Sequence, residues 1–458
     1  MKEISPFVFR AYDIRGIVNK VLTPEAVYAI GQAYASEARK QGQKEVVIGY
    51  DGRLSSPALA NSLSEGLRAS GLDVVDIGLV PTPLLYFAIH HLGTGNGIMV
   101  TGSHNPPQYN GLKMVMANNT LYGEDIQQLY RRIVENDLTQ GDGNYWQQNI
   151  VSAYIERVVS DIKTERKLSI VVDCGNGVAG SVAPALFRRL GCNVIELFCE
   201  VNGNFPNHHP DPSKPENLKD LGEAVVSHQA DLGFAFDGDG DRLGVLDNRG
   251  QIIWPDRQMM LYAADVISRN PGATIVYDVK SSSHLGDIVN KLGGIPLMWK
   301  SGHSLIKAKM KETGALLGGE MTGHIFFKER WSGFDDGLYS AARMLEILAQ
   351  RQGASSEVFD ALPNSFNTPE LQIPFEEGEH YHFMKKFEAQ AQFKNAEILN
   401  IDGMRVTFPF GWGLIRPSNT TPSLTLRFEA DAEDSLEEIQ QLFREQILKV
   451  DSRLELPF

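Results

Sequence analysis

Val46-Val47-Ile48-Gly49-Tyr50-Asp51 opens a pattern that this chain uses three times. The apolar run reads as a buried strand closed by an acid. A helical stretch follows to Ala69, Gly71 stops it, and Val74-Val75-Asp76-Ile77 reads as a second strand. Ser169-Ile170-Val171-Val172, closed by Asp173, leads through a helix to Leu190, Gly191 and Asn193-Val194-Ile195. Thr274-Ile275-Val276-Tyr277, closed by Asp278, leads in the same way to Leu292, Gly293 and Ile295-Pro296-Leu297. Strands alternating with amphipathic helices predict α/β layers. Three copies predict three related α/β domains, each bringing a loop to a shared centre.

After Pro363 the texture changes. Glu397 to Ile401 and Met404 to Phe408 flank Asp402-Gly403, which reads as a two-residue hairpin turn. Ser423 to Phe428 alternates as a half-buried strand, and a last helix runs from about Ala432 to Val450. The expected fourth unit is an α+β domain with an antiparallel sheet. Expected divisions are 1–148, 149–251, 252–363 and 364–458, in keeping with a length of 458 residues and about 100–200 residues per domain.

A formal charge of −14 argues against nucleic acid or an anionic membrane as partner, although local cations can still hold an anionic small molecule. No apolar run approaches the roughly 20 residues of a membrane span, and Met1-Lys2-Glu3 opens no signal peptide. Cys174, Cys192 and Cys199 lack metal-site spacing and read as reduced thiols. A cytoplasmic monomer is expected.

The chemistry concentrates in four loops. Thr101-Gly102-Ser103-His104-Asn105-Pro106-Pro107 follows the strand-like Gly97 to Val100 and presents a hydroxyl that a substrate can approach. Tyr109-Asn110-Gly111-Leu112 reads as a tight turn into a strand carrying Lys113, which returns that lysine towards Ser103 if the two strands pair. Lys113 there suits a phosphoserine counter-ion, or a proton shuttle if neighbouring cations lower its pKa, and His104 suits phosphoryl oxygens. A Ser-His pair is ordinarily only a hydrogen-bonded turn; the double proline and returning lysine favour function.

Asp237-Gly238-Asp239-Gly240-Asp241-Arg242 places three carboxylates at alternate positions, so all three can converge on one ion. An EF-hand loop needs Gly at position six and Glu at position twelve, where this chain has Arg242 and Asn248, so that reading fails. Room left for a phosphoryl oxygen suits Mg²⁺. The third loop, Gly318-Gly319-Glu320-Met321-Thr322-Gly323-His324, offers an acid and a hydroxyl to a polyol. In the fourth, Arg416-Pro417-Ser418-Asn419-Thr420-Thr421-Pro422, one guanidinium, an amide and three hydroxyls make a phosphate grip. A nucleophilic serine and an acidic metal loop together point to phosphoryl transfer through a covalent intermediate.

In this order, from Arg10-Ala11-Tyr12-Asp13-Ile14-Arg15-Gly16 to the last helix, the motifs resemble the α-D-phosphohexomutase family, and the Glu-Met-Thr-Gly-His loop most resembles its phosphomannomutase/phosphoglucomutase branch. The resemblance implies three α/β domains with mixed sheets flanked by helices and a C-terminal α+β domain around a central cleft. It implies that Ser103 carries the phosphoryl group and, with Asp237, Asp239 and Asp241, binds one Mg²⁺. Lys113 would be the general acid/base with His324 second, and Arg15 and Arg242 would steady the phosphoryl group. His104 belongs to the serine loop. Tyr12, Lys280 and His303 would line the cleft, Glu320 and Thr322 would take sugar hydroxyls, and Arg416, Ser418, Asn419, Thr420 and Thr421 would hold the distal phosphate. Thr322 departs from the Ser usual in this branch, which puts fit or rate in question.

The implied reaction exchanges phosphate between C1 and C6 of mannose or glucose phosphates, with hexose 1,6-bisphosphate as intermediate and glucose 1,6-bisphosphate as activator. Three other readings stand beside it. A metal-dependent phosphatase would release free phosphate, and a sugar-phosphate sensor would bind without turnover. A glucosamine-phosphate mutase usually carries Gln where Met321 stands.

Overall fold

The computed structural model describes residues 4–418 and 421–458. Within them lie four sheets, and the first three repeat one topology. In the first, strand Glu45–Tyr50 is followed by helix Ser56–Ala69 and the parallel strand Asp73–Leu79. Gly97–Val100 then joins the other side of Glu45–Tyr50 in parallel, and Tyr109–Met116 turns back antiparallel to it. The second sheet repeats this with Ser169–Asp173, helix Ala183–Arg189, Asn193–Leu197, Leu232–Phe236 and Leu243–Asp247. The third does so with Thr274–Asp278, helix Ser283–Lys291, Ile295–Trp299, Leu317–Gly319 and Ile325–Phe327. Parallel pairs need the helical crossover, whereas the final antiparallel pair needs only a loop. That last loop is the serine loop in the first sheet, the acidic loop in the second and the Glu320–His324 loop in the third. The three chemical loops therefore occupy one topological position.

The acids that end the first strands, Asp51, Asp173 and Asp278, are all buried and stitch neighbouring loops in place. Asp51 accepts from Thr101 Oγ1 at 2.8 Å and from Gly102 N at 3.0 Å. Asp173 accepts from Gly175 N at 2.8 Å, and Asp278 accepts from Ser301 Oγ at 2.9 Å. A buried carboxylate needs such partners, and a strand end supplies unpaired N–H and O–H groups nearby.

The Asn110-Gly111 turn expected from sequence is absent. Both residues lie inside strand Tyr109–Met116, paired with Gly16 and Arg15. The Asn110 amide donates to Ser55 and Ser56, and a side chain at 111 would collide with the Ile14 carbonyl. Close strand approach, not a turn, selects this glycine. Lys113 nevertheless pairs opposite Met99, as strand return requires.

The fourth sheet is antiparallel throughout, ordered Phe366–Asn367, Ser423–Ala430, Gly411–Pro417, Met404–Phe408 and Glu397–Leu399, with Leu371–Pro374 also pairing Ser423–Ala430. Helices Glu379–Gln390 and Glu433–Val450 supply Phe383, Phe387, Ile439, Phe443 and Ile447 to its own apolar core. The Asp402-Gly403 turn is wider than two residues, because its last strand pair is Leu399–Arg405. The Asp402 carboxylate is turned to Arg416 and to Ser301 N instead of closing the hairpin. One continuous apolar cluster joins the first three units, whereas Val279, Trp412 and Leu414 form the small cluster between third and fourth. No helix among the described residues is long and apolar enough to cross a membrane.

Candidate active site

Ser103 is 2% exposed and sits at φ +49°, a left-handed conformation unusual for a residue with a side chain. Its N–H donates to Thr101 Oγ1 at 2.8 Å. The hydroxyl donates to Asp237 Oδ2 at 3.0 Å and lies 3.2 Å from His104 Nδ1. Burial, with Arg242 and Arg15 adding, pushes the His104 imidazole well below the usual histidine range, so it is neutral beside the hydroxyl.

Asp237, Asp239 and Asp241 are fully buried, and one oxygen from each lies within 4.8 Å of the others. Asp239 Oδ1 and Asp241 Oδ1 have no hydrogen-bond partner. Burial, then repulsion from Asp239 and Asp241, pushes Asp237 well above the usual carboxylate range, and burial likewise raises Asp241. Asp239 is held low despite its burial, because Lys113 and Thr82 donate to it. Thr82 begins helix Thr82–Leu92 of the first unit, so a helix N-terminus also faces this acid. Three buried, mutually repelling carboxylates with orphaned oxygens fit a hard divalent cation. The donor set is all oxygen, which disfavours a soft metal.

Cations ring this acid cluster. Lys113 Nζ donates to Asp239 at 2.7 Å and also to Asp241. Burial opposes its charge, but these two acids prevail and hold the ammonium well above the usual lysine range. The lowered pKa that a resting proton shuttle would need is therefore not found here. Arg242 Nε donates to His324 Nε2 at 3.0 Å, so a neutral His324 carries its proton on Nδ1. That nitrogen lies 3.2 Å from Asp335 Oδ2 and 3.5 Å from Asp241 Oδ1. Asp335 also takes Lys307 Nζ at 2.8 Å and faces His303 Nδ1 at 3.6 Å. Against burial, Lys307 and the bond from His324 hold Asp335 well below the usual carboxylate range. Arg15 is tied to Asp13 and Asn105. Ser103, His104, Lys113, Arg15, Arg242, His303, His324 and Tyr12 all line one cavity.

Tyr12 extends this cavity towards the fourth unit, donating to Ser301 O at 3.2 Å; burial pushes its hydroxyl well above the usual tyrosine range. Glu320 Oε1 accepts from Gly302 N at 2.7 Å while Oε2 is buried without a partner, a free acceptor for a hydroxyl. Thr322 Oγ1 is likewise buried without a hydrogen-bond partner, and with Met321 the residue lines a small cavity beside Pro212, Leu243 and Trp254. Lys280 is paired with Glu370 at 2.6 Å. Arg416 meets Asp402 through two nitrogens, at 2.9 and 3.3 Å, and Ser418 Oγ lies 3.0 Å from Thr421 Oγ1. Asn419 and Thr420 lie outside the described residues.

Comparison with known proteins follows this geometry along the whole chain. The three phosphoglucomutase/phosphomannomutase alpha/beta/alpha domains match residues 6–140, 152–250 and 254–366, and the C-terminal domain of that family matches 370–446. The chain belongs to the α-D-phosphohexomutase family. It is 55% identical over 451 residues to a phosphomannomutase/phosphoglucomutase of Pseudomonas aeruginosa, covering 98% of this chain and 97% of that one. A phosphoglucomutase of Neisseria gonorrhoeae is 52% identical over 448 residues, covering 97% of each. A crystal structure of a phosphoglucomutase/phosphomannomutase family protein from Burkholderia thailandensis superposes with a TM-score of 0.95 at 52% identity, covering all of both chains. The chain is accordingly an enzyme, a phosphohexomutase.

Several residues of this phosphohexomutase site escape a reading of the sequence. Asp335, Lys307 and Glu370 each complete an ion pair around the cleft, yet none stands in a recognisable motif, and Asp402, the partner of Arg416, reads in sequence only as a turn residue. Asp335 carries one faint signal, an Asp-Asp pair just before helix Gly337–Ala349, where the second acid caps Tyr339 N at 2.8 Å. The first is then free to face inward.

Proposed function

We propose that this chain moves a phosphoryl group between O1 and O6 of mannose or glucose phosphates, through phosphoserine at Ser103 and a hexose 1,6-bisphosphate. The observation that carries this reading is Ser103 Oγ 3.0 Å from Asp237, at the edge of three buried carboxylates and within one cavity with Lys113, Arg15 and Arg242. Asp237, Asp239, Asp241 and a phosphoryl oxygen on Ser103 would hold one Mg²⁺. That ion would supply neutralisation of the phosphoryl charge.

In the forward step the bond between Ser103 Oγ and phosphorus breaks as the free sugar hydroxyl forms its own bond to phosphorus. Lys113 gives a proton to Oγ and takes up the proton of the sugar hydroxyl, so the lysine ends the step charged, as it began. Lys113, charged between Asp239 and Asp241, is thus the acid for Oγ and, once deprotonated, the base for the sugar hydroxyl within the same step, with the two roles exchanged on the return; His324, its tautomer set by Arg242, is the second group. Arg15 and Arg242 steady the phosphoryl oxygens, and His104 hydrogen-bonds to them while neutral. Glu320, Lys280 and His303 orient the sugar, while Arg416, Ser418, Thr421, Asn419 and Thr420 hold the other phosphate. The bisphosphate then turns end for end, and the second phosphate returns to Ser103. Such transfers rest on positioning and charge more than on covalent work by side chains. We further propose the domain divisions 148/149, 251/252 and 363/364, a monomeric state and a cytoplasmic location.

The test is intact mass and peptide mapping after incubation with glucose 1,6-bisphosphate. One phosphoryl on the Ser103 peptide, and none on Ser103→Ala, is expected. A parent protein that stays unmodified while it isomerises glucose 1-phosphate would overturn the proposal.

A further inference from the structure

Arg53 lies beyond strand Glu45–Tyr50, in Asp51-Gly52-Arg53, and is 2% exposed. It has no place in the chemistry above, yet every N–H of its guanidinium is used. Nε donates to Asp51 Oδ2 at 3.1 Å. Nη1 donates to the carbonyls of Pro106 at 2.7 Å and Tyr109 at 3.0 Å, and Nη2 to those of Ser103 at 2.7 Å and Asn105 at 2.6 Å. Four of its five acceptors are thus backbone carbonyls spanning the serine loop. The fifth, Asp51, itself anchors Thr101 and Gly102 at the loop's entrance.

We infer that Arg53 is a positioning residue for phosphoryl transfer, a planar hub that holds Ser103 in its left-handed conformation with the hydroxyl aimed at Asp237. This rests on the function proposed above. Three observations converge. A non-glycine residue at positive φ persists only where its surroundings over-determine it, and Ser103 is such a residue. A trans peptide is a rigid plane, so pinning the Ser103 and Asn105 carbonyls fixes the orientation of the next residue as well. The space is also closed around the guanidinium: a methyl group at Gly102 would collide with it, and the Phe205 ring of the second unit lies 5.3 Å from Cζ. Lysine cannot replace this hub, because its three donors radiate from one atom and cannot reach carbonyls spread across a plane.

Arg53→Lys and, independently, Gly102→Ala test the role, with steady-state kinetics and the rate of phosphoryl uptake at Ser103 from glucose 1,6-bisphosphate as readouts. A misplaced nucleophile lowers the rate of the transfer and leaves binding of the sugar phosphate intact. In both variants kcat is expected to fall about 100-fold, with KM for glucose 1-phosphate within about threefold of the parent and uptake at Ser103 slowed in parallel. Should Arg53→Lys not fold, Gly102→Ala carries the same expectation. A folded variant that keeps kcat within about threefold, or loses kcat only together with KM, overturns the inference. A parent that takes no phosphoryl on Ser103 would overturn the proposed function instead. A parent and an Arg53→Lys variant that take it equally fast would overturn only the role of Arg53.

Discussion

Lys113 stands between two acids of a cluster that carries one more carboxylate than it has adjacent lysine and arginine partners, Lys113 and Arg242 facing Asp237, Asp239 and Asp241. Replacing it with methionine, which keeps most of the length and removes the charge, leaves buried carboxylates repelling one another. Breaking such a pair costs about 3–5 kcal/mol. Lys113→Met is therefore expected to lower the denaturation midpoint in chelator and to recover much of it in saturating magnesium, since a bound cation replaces the lost charge. Equal midpoints in chelator for parent and variant would show that Lys113 does not balance the cluster. Arg416 is the proposed phosphate grip of the fourth unit. Removing a charge-assisted pair with phosphate costs about 1.5–3 kcal/mol, so Arg416→Ala should raise KM for glucose 1-phosphate roughly 10–100-fold. It should also release more free bisphosphate per turnover, measured by chromatography of the reaction mixture. An unchanged leak would remove Arg416 from the phosphate grip.

At the level of elements, the strand–helix–strand units were legible because strand runs such as Ser169–Asp173 are buried along their length and end in an acid, a local signal. The later equivalence of the three chemical loops was not legible. It depends on where Gly97–Val100, Leu232–Phe236 and Leu317–Gly319 enter their sheets, and the loops that follow share no residue pattern. Asn110-Gly111 misleads for a related reason, since a glycine required by a passing carbonyl looks the same in sequence as one required by a turn. Ser103, the three aspartates and Lys113 were legible because their spacing is local; Arg53 and Asp335 were not, because their partners come from distant segments. Helix Gly337–Ala349 supplies a prediction of its own. Its capping acid Asp336 is buried, accepts from Tyr154 at 2.9 Å, and is pushed by that burial up to about 7. A carboxyl raised in the folded state stays protonated there after its unfolded counterpart, near 3.9, has ionised. Stability is then lost as pH rises from about 4 to 7. Asp336→Asn keeps an acceptor for the cap, so its melting midpoint should exceed that of the parent at pH 8 and match it near pH 4. Each kcal/mol corresponds to roughly 2–4 °C. A parent advantage at pH 8 would contradict this account of the cap.

Across the whole molecule, one apolar cluster joins the first three units, while the fourth meets the third through Val279, Trp412 and Leu414 and through polar bonds. Those bonds include Arg427 with Asp256, Arg405 with the Val279 carbonyl, and Glu429 with Ser283. A joint richer in polar contacts than in apolar area suits a unit that moves as a body. Its proposed grip, Arg416, is meanwhile held by Asp402, which also accepts from Ser301 N of the third unit at 2.9 Å. Solution scattering should show a smaller radius of gyration when glucose 1,6-bisphosphate fills the cleft, and curves that superimpose would exclude closure. The central claim concerns a single oxygen that gives up one phosphoryl group and receives another. Phosphoenzyme labelled at Ser103 with ³²P, mixed with unlabelled glucose 1-phosphate for a single turnover, tests it most directly. The label should leave in glucose 6-phosphate while Ser103 remains phosphorylated with unlabelled phosphate from C1. Label retained on Ser103 while product forms, or label released as inorganic phosphate, would contradict it.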